Sequence, residues 1–347
     1  MQLHIVGGFL GSGKTTAIIQ AAKYLMAQGQ RVGVMTNDQG KYLVDTAFIQ
    51  LADVPTVEVT GGCFCCNYSS LTKQLDALDA QAHPDIIFAE SVGSCADIVA
   101  TVVRPLFELG SAAVPTSFSV FADSRLLRRW LVGSPLPFSD NINYVFVQQL
   151  EEAGLLVINK ADLLDGDAQR DTEQRARRRF GDKAILLQNS LDADSIRVWV
   201  EHLISGTAPT RSLHLDYRRY GEAEAQLAWL DMRLVLLDMH QARLRQIITD
   251  IHSALGDIPI GHFKILVWNA RRSAKISFPT VSDPDWEVNL PVLPEGRVEM
   301  LLNLRAETDS DALRRLVERV LEGVPVREIH IDSFHPRWPE PTYRLVD

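Results

Sequence analysis

The chain has 347 residues, 46% of them apolar and 23% charged, and a net charge of -9, which suits a soluble globular protein long enough for two buried cores. Its acidity repels phosphate backbones and argues against a nucleic acid partner, and no run of about 18 apolar residues is present to span a membrane. Met1 to Val6 leads into a glycine-rich loop without the basic stretch and cleavage site of an export signal, and three of the four cysteines fall within Cys63 to Cys66, too close for structural pairing, so a cytoplasmic setting is expected.

Short β-branched runs predict strands at Leu3–Val6, Arg31–Thr36, Thr56–Val59, Ile86–Ala89, Thr116–Phe121 and Leu155–Ile158. Helical periodicity appears between them at Lys14–Ala27, Ser70–Ala80, Val147–Ala153 and Asp171–Phe180. Such alternation predicts an α/β fold, a parallel sheet with helices on both faces, over residues 1–205. The basic run Arg175 to Arg179 has the spacing of a solvated helix face. Gly206, Pro209 and Gly221 interrupt the pattern, so a linker is expected at 206–226. Residues 227–347 then predict a smaller α+β domain of the split βαβ, ferredoxin-like kind. Its expected strands are Trp229–Leu237, Phe263–Asn269, Ala274–Phe278, Arg297–Leu304 and Val326–Ser333, and its helices Gln241–Leu255 and Ser310–Leu321. His240, His252 and His262 are scattered there and read as ordinary residues.

The strongest local signal is Gly8-Phe9-Leu10-Gly11-Ser12-Gly13-Lys14-Thr15, which fits G-x-x-x-x-G-K-[ST] between a strand and a helix. Gly8, Gly11 and Gly13 let the backbone curl so that its N–H groups, including that of Ser12, face phosphate oxygens at a helix N-terminus. Lys14 is then expected to reach the β- and γ-phosphates, and Thr15 to ligate Mg²⁺. A second signal, Asn159-Lys160-Ala161-Asp162, ends an apolar strand. The Asp162 carboxylate suits the N1–H and amino group of guanine, and a buried Asp162 would be left unpaired by adenine. Asn159 would brace the loop and the Lys160 stem would lie along the base. Glu90 ends a third apolar strand, positioned for Mg²⁺, and Gly93 can offer its N–H to a γ-phosphate. Thr36-Asn37-Asp38 closes the strand before them, and a mobile switch segment reaching Asp45 is expected to follow.

Gly61-Gly62-Cys63-Phe64-Cys65-Cys66 follows the strand Thr56–Val59. Thiolates are soft ligands, and Cys63, Cys65 and Cys66 offer two or three corners of a tetrahedron to Zn²⁺ or a related ion. Cys95 reads as a packed residue near the site, with a ligand role as the alternative.

Together, Gly8–Thr16, Gly62–Cys66, Glu90–Gly93 and Asn159–Asp162 resemble the metal-handling P-loop GTPases, and within them the CobW-like branch. Gln148 to Glu152 and the loop at Asn189 and Ser190 fit the resemblance, which covers about the first 205 residues. It implies GTP hydrolysis coupled to metal delivery or metalloenzyme maturation. Zn²⁺ is the usual metal and Co²⁺ or Ni²⁺ the alternatives, and a client metalloprotein or corrinoid protein and homodimer formation are implied as well. Lys14, Thr15 and Thr16 would serve phosphate and Mg²⁺, Glu90 the Mg²⁺, Asn159 and Asp162 the guanine, and Cys63, Cys65 and Cys66 the transition metal. On the family's strand order the cysteine loop and Glu90 are expected on neighbouring elements. Two positions depart from the family's pattern: Lys41 stands where many relatives carry a carboxylate, and the segment after Glu90 is one residue longer. A GTP-dependent switch for a corrinoid enzyme is the second reading. An ATP-dependent small-molecule kinase is the third, opposed by Asn159–Asp162.

Overall fold

The computed structural model describes every residue except 41, 112, 207 and 282–284. It divides into two compact units, one of residues 1–39, 49–221 and 339–347, the other of residues 40–48 and 222–338.

The first unit is built on seven parallel strands: β1 (Gln2–Gly8), β2 (Val32–Asn37), β3 (Thr56–Val59), β4 (Ile86–Glu90), β5 (Val114–Asp123), β6 (Leu155–Asn159) and β7 (Ala184–Gln188). Their order is β3-β2-β4-β1-β5-β6-β7. Ile86–Glu90 and Leu155–Asn159 are buried throughout, as strands covered on both faces must be. Connections run in both directions from β1, so right-handed crossovers place helices on both faces. Trp199, Phe88 and Phe121 are among the fully buried aromatic residues of the core, and both phenylalanines pack on Trp199.

The helix Lys14–Ala27 has the expected bounds, whereas the helix read at Val147–Ala153 begins earlier, spanning Asp140–Glu152. Strand β7 and the helices Ser124–Leu131 and Ala193–Ser205 were not read from the sequence. The stretch read as a linker contains a helix, Tyr217–Gln226. It forms because Tyr220 and Ala223 both find burial.

The second unit carries five antiparallel strands, β8 (Leu227–Met239), β9 (Ile260–Trp268), β10 (Ser273–Pro279), β11 (Gly296–Glu307) and β12 (Val326–Phe334), in the order β10-β9-β11-β8-β12. Without β10 this is the split βαβ arrangement expected, and β10 extends one edge by pairing with β9. Alternation sorts the two faces. Leu230, Met232 and Leu234 join Ile247 and Ile251 of the helix Gln241–Leu255 in the main core. Asp231, Asn303 and Arg305 point to the other face: Arg305 Nη1 lies 2.7 Å from Asp231 Oδ1, both side chains are fully buried, and the guanidinium stacks 4.0 Å over Trp229.

Residues 42–48 pack on that same face. Val44 donates its N–H to Asn303 Oδ1 at 2.8 Å, and Asp45 is bonded by Lys264 and, at 3.0 Å, by Lys275. Burial pushes the Asp45 carboxyl up, but the two ammonium groups outweigh it and hold it well below the usual carboxylate range. The segment expected to be mobile up to Asp45 is therefore tied to this sheet and continues as the helix Val44–Gln50. Lys41 lies outside the described residues.

Candidate functional site

The motifs all lie at the C-terminal ends of the parallel strands, where open α/β sheets bind ligands. From β1 the chain turns through Gly8, Gly11 and Gly13, with φ of 124°, 73° and 92°, values that disfavour any residue with a Cβ. A Cβ on Gly8 would also strike the main chain of Phe121, and one on Gly13 the side-chain amide of Asn159. Lys14 is buried and folds back over the loop, donating to the carbonyl of Gly8 at 2.8 Å and more weakly to that of Phe9 at 3.4 Å. Ser12 is buried, Thr16 half-buried, and Thr15 donates its hydroxyl to Glu90 Oε1 at 2.9 Å. No acidic side chain occupies the first turn of the helix Lys14–Ala27, so its positive dipole end remains available to an anion.

At the end of β6, Asn159 is buried and braces two loops. Its Nδ2 donates to Ser12 O at 2.8 Å, and its Oδ1 accepts from the Ser190 hydroxyl at 2.7 Å. Lys160 adopts a left-handed conformation with φ of 57°. Its ammonium donates to Gly11 O at 2.7 Å and Asp123 Oδ2 at 3.0 Å. Asp123 also accepts from the Arg125 guanidinium and caps the helix Ser124–Leu131 through the Arg125 N–H. Burial raises the Asp123 carboxyl, but Lys160 and Arg125 hold it below its ordinary value. The sequence offered a signal for Asp123 that went unread: an acidic residue just before a helical pattern. Asp162 is exposed rather than buried, because the 3₁₀ turn Ala161–Leu163 carries it beyond the strand end.

At the end of β3 lies the cysteine loop, shaped by a residue of β2. Asn37 donates through Nδ2 to the carbonyls of Val59 at 3.1 Å and Gly62 at 2.8 Å, and accepts the N–H of Phe64 at 2.9 Å. Read from the sequence only as part of a strand end before a switch segment, Asn37 is the clamp of the loop. Sγ of Cys63 lies 2.7 Å from that of Cys65 and 3.1 Å from that of Cys66, with 3.7 Å between the last two. Cys63 and Cys65 are buried and Cys66 is partly exposed. Thiol–thiol hydrogen bonding and burial push Cys66 up to about 11 and Cys65 well above the ordinary thiol range, while in Cys63 burial and Cys95 outweigh the opposing bonds from Cys65 and Cys66. The three thiols form the one cluster of three or more metal-capable side chains among the described residues. His252 instead packs against Phe278 and Trp286.

The cysteine loop and Glu90 are not on neighbouring strands, since β2 lies between β3 and β4. The loop after β4 closes the gap. Gly93 packs so tightly on Leu10 of the phosphate loop that a Cβ there would meet the Leu10 side chain at 2.7 Å. Two residues on, the buried Cys95 thiol interacts with those of Cys63 and Cys65. Gln149 holds both ends of this short span, donating through Nε2 to Gly93 O at 3.0 Å and Cys95 O at 2.8 Å. Glu152 supports the next turn by accepting the Val99 N–H at 2.5 Å, and burial raises its carboxyl to about 8.

Residues 2–187 match the family model described as CobW/HypB/UreG, nucleotide-binding domain. Among curated proteins, the chain is 27% identical over 189 residues to the zinc chaperone YeiR of Escherichia coli strain K12, covering 53% of each chain. It is 25% identical over 205 residues to the zinc chaperone CobW of a Sinorhizobium species, covering 53% of this chain and 57% of that one. The chain thus spans about half the length of the curated relatives it matches. Among solved structures, HypB from Helicobacter pylori in complex with nickel aligns over 61% of this chain and 91% of its own, at 16% identity and a TM-score of 0.44. The fold rests on its own strand order, not on that likeness.

Proposed function

The chain belongs to the CobW/HypB/UreG family through its nucleotide-binding domain, and from that premise we propose that it is a Mg²⁺-dependent GTP hydrolase whose nucleotide state governs the binding and hand-over of a transition metal, zinc before cobalt or nickel, to a client metalloprotein. The observation that carries this reading is the convergence of three thiols at the same C-terminal end of the sheet as a complete phosphate loop. Curated relatives named zinc chaperones support zinc as the cargo, as does the softness of the donor set. A reducing cytoplasm, where thiols persist, suits it.

In this reading the GTPase domain is residues 1–205. Lys14 and the loop N–H groups of residues 11–16 hold the β- and γ-phosphates and stabilise charge on the transferring phosphoryl group. The Thr15 hydroxyl and Glu90 carboxylate, already side by side, form a hard oxygen pair suited to Mg²⁺, which when bound neutralises phosphate charge. Asp162 accepts from guanine, Lys160 lies along the base, and Asn159 ties the base loop to the phosphate loop. Cys63, Cys65 and Cys66 take the metal as thiolates, releasing protons as they do so, with Cys95 the candidate fourth donor. Coupling runs through the span from Gly93 to Cys95: a group that senses the γ-phosphate at one end moves a thiol at the other.

Metal analysis of freshly purified protein, with GTP turnover in parallel, tests the proposal. About one zinc per chain is expected for a single four-ligand site. The zinc should disappear in the combined Cys63→Ser, Cys65→Ser, Cys66→Ser variant, with turnover changed by no more than a small factor. Zinc retained by that variant, or absent from the wild type, refutes metal delivery, and a preference for ATP over GTP refutes the assigned base.

A further inference from the structure

Segment Pro339–Asp347 belongs to the same compact unit as the cysteine loop and has no regular secondary structure, yet it lies directly on that loop. Thr342 donates its N–H to Cys65 O at 2.9 Å and its hydroxyl to Cys66 O at 3.2 Å. Glu340 donates its N–H to Cys66 Sγ at 3.3 Å, and Leu345 its N–H to Ala100 O at 2.9 Å. Side chains add register. Tyr343 meets Tyr68 edge-on at 5.1 Å, and Arg344 donates to Asp97 Oδ2 at 2.7 Å while its guanidinium lies over Tyr217.

This attachment is directional but shallow. Most side chains of the segment are exposed, so little apolar burial holds it. Net hydrogen bonds contribute about 1 kcal/mol each, and the bond from Arg344 to the buried Asp97 carboxylate somewhat more, while ordering each residue costs about 1–2 kcal/mol. Arg104 and Ser212 also bond the Asp347 carboxylate, and Arg344 donates to Leu213 O, so the sum of bonds is comparable to the cost of ordering nine residues and the segment lies close to balance between docked and free. The contacts are those by which a protein receives an extended peptide, with main-chain N–H groups supplying adhesion and successive side chains supplying choice. The hydroxyl of Thr342 meets the cysteine loop, the ring of Tyr343 meets an aromatic edge, and the cation of Arg344 meets the buried carboxylate of Asp97.

We propose that this face of the cysteine loop is a peptide-docking surface: Pro339–Asp347 is its resident strap, and an extended client segment with the same hydroxyl–aromatic–arginine order exchanges with it and uncovers the thiols. The client's identity as a metal acceptor rests on the metal-delivery reading; the docking itself does not.

The test uses the metal-free full chain and follows the rate at which an aromatic disulfide reagent modifies Cys66. Tyr343→Ala with Arg344→Ala is one variant, and Thr342→Pro, which removes a donor N–H, is the second; near-ultraviolet circular dichroism confirms that each is folded. Both variants are expected to react at least tenfold faster than wild type. A synthetic peptide of the sequence Pro339–Asp347 should restore the slow rate saturably, and a scrambled peptide should not. Equal rates in wild type and both folded variants, or no slowing by the peptide, overturn the proposal. Because the assay contains no metal, peptide protection in a chain that fails to bind zinc would uphold the docking surface while refuting metal delivery.

Discussion

At the phosphate loop, polar groups already satisfy one another: Lys14 reaches back to Gly8, Thr15 to Glu90, and Lys160 to Gly11 and Asp123. At the cysteine loop, three thiols crowd together, each pushed above its ordinary value by neighbouring thiols and burial. The first site is held in shape by its own side chains, an arrangement that would keep reorganisation small in the phosphoryl transfer proposed for it. The second would have to shed protons to accept the metal proposed for it. On the proposed function, the C-terminal end of one sheet would thus carry a pre-shaped nucleotide site and a thiol site that loads only as protons leave. Two strands, β2 and β4, stand between β3 and β1, from which the two sites rise.

Removing the central cation of the phosphate loop should separate the sites most sharply. Lys14→Ala is expected to lower GTP turnover about 1,000-fold or more, as loss of a phosphate-stabilising cation does, while leaving zinc binding measured without nucleotide unchanged. Phosphate release and metal analysis on one preparation check both; parallel loss of metal would show that the two sites do not stand apart as described. The converse change is Asn37→Ala, which leaves the cysteines in place but removes the clamp. Zinc affinity should fall about 10- to 100-fold, the usual cost of losing an outer-shell orienting group, with GTP affinity unaltered. Competition with a chromophoric chelator measures it, and an unchanged affinity would mean that the thiols orient themselves.

The smallest expected effect concerns the connecting turn. The Glu152 carboxyl, raised by burial to about 8 in the folded chain from an ordinary 4.5, stays protonated while the unfolded chain ionises. The folded state therefore binds the extra proton, and stability is lost as pH rises from the unfolded value through the folded one. Glu152→Gln removes that loss. Its advantage in melting temperature over wild type should be absent near pH 4, grow through pH 8 and then level off, worth on the order of 2 kcal/mol after allowing for local relaxation. A constant offset across pH would show that Glu152 does not titrate in this window.

The parts of the site that obey backbone necessity were readable in advance. Gly8, Gly11 and Gly13 are dictated by positive φ, so their spacing advertises the loop and locates Lys14 and Thr15 with it. The strands that frame the site were legible because burial on both faces makes them continuous apolar runs. Asn37 and Asp123 were not, because their importance comes from partners distant in sequence: the carbonyls of Val59 and Gly62, and the ammonium of Lys160. Asp162 was placed at the right strand end but assigned the wrong exposure, since a pattern of residue types says nothing about the turn that lifts it out. The helix Ala193–Ser205 carried a readable period in Ile196, Trp199, Val200 and Leu203, and an Asp192 cap. Strand β7, short and partly exposed at an edge, gave no comparable run. In the second unit, alternation revealed the strands but not that Asp231 and Arg305 would pair inside, because composition cannot tell a buried ion pair from two solvated charges.

Residues 42–48 pack on the face of a sheet whose strands begin only at Leu227. On a ribosome that segment is made early, and its receptor, Asn303 with Lys264 and Lys275, emerges more than 200 residues later. The first unit can gather as it is synthesised, but it must leave this stretch unfilled. The second unit cannot be cut out as one continuous fragment: expressed from residue 222 onward, it would present two lysines and an asparagine to water in place of Asp45 and the main chain of Tyr42 and Val44. Birth order and assembly order therefore differ in this chain, and maturation waits for its last third.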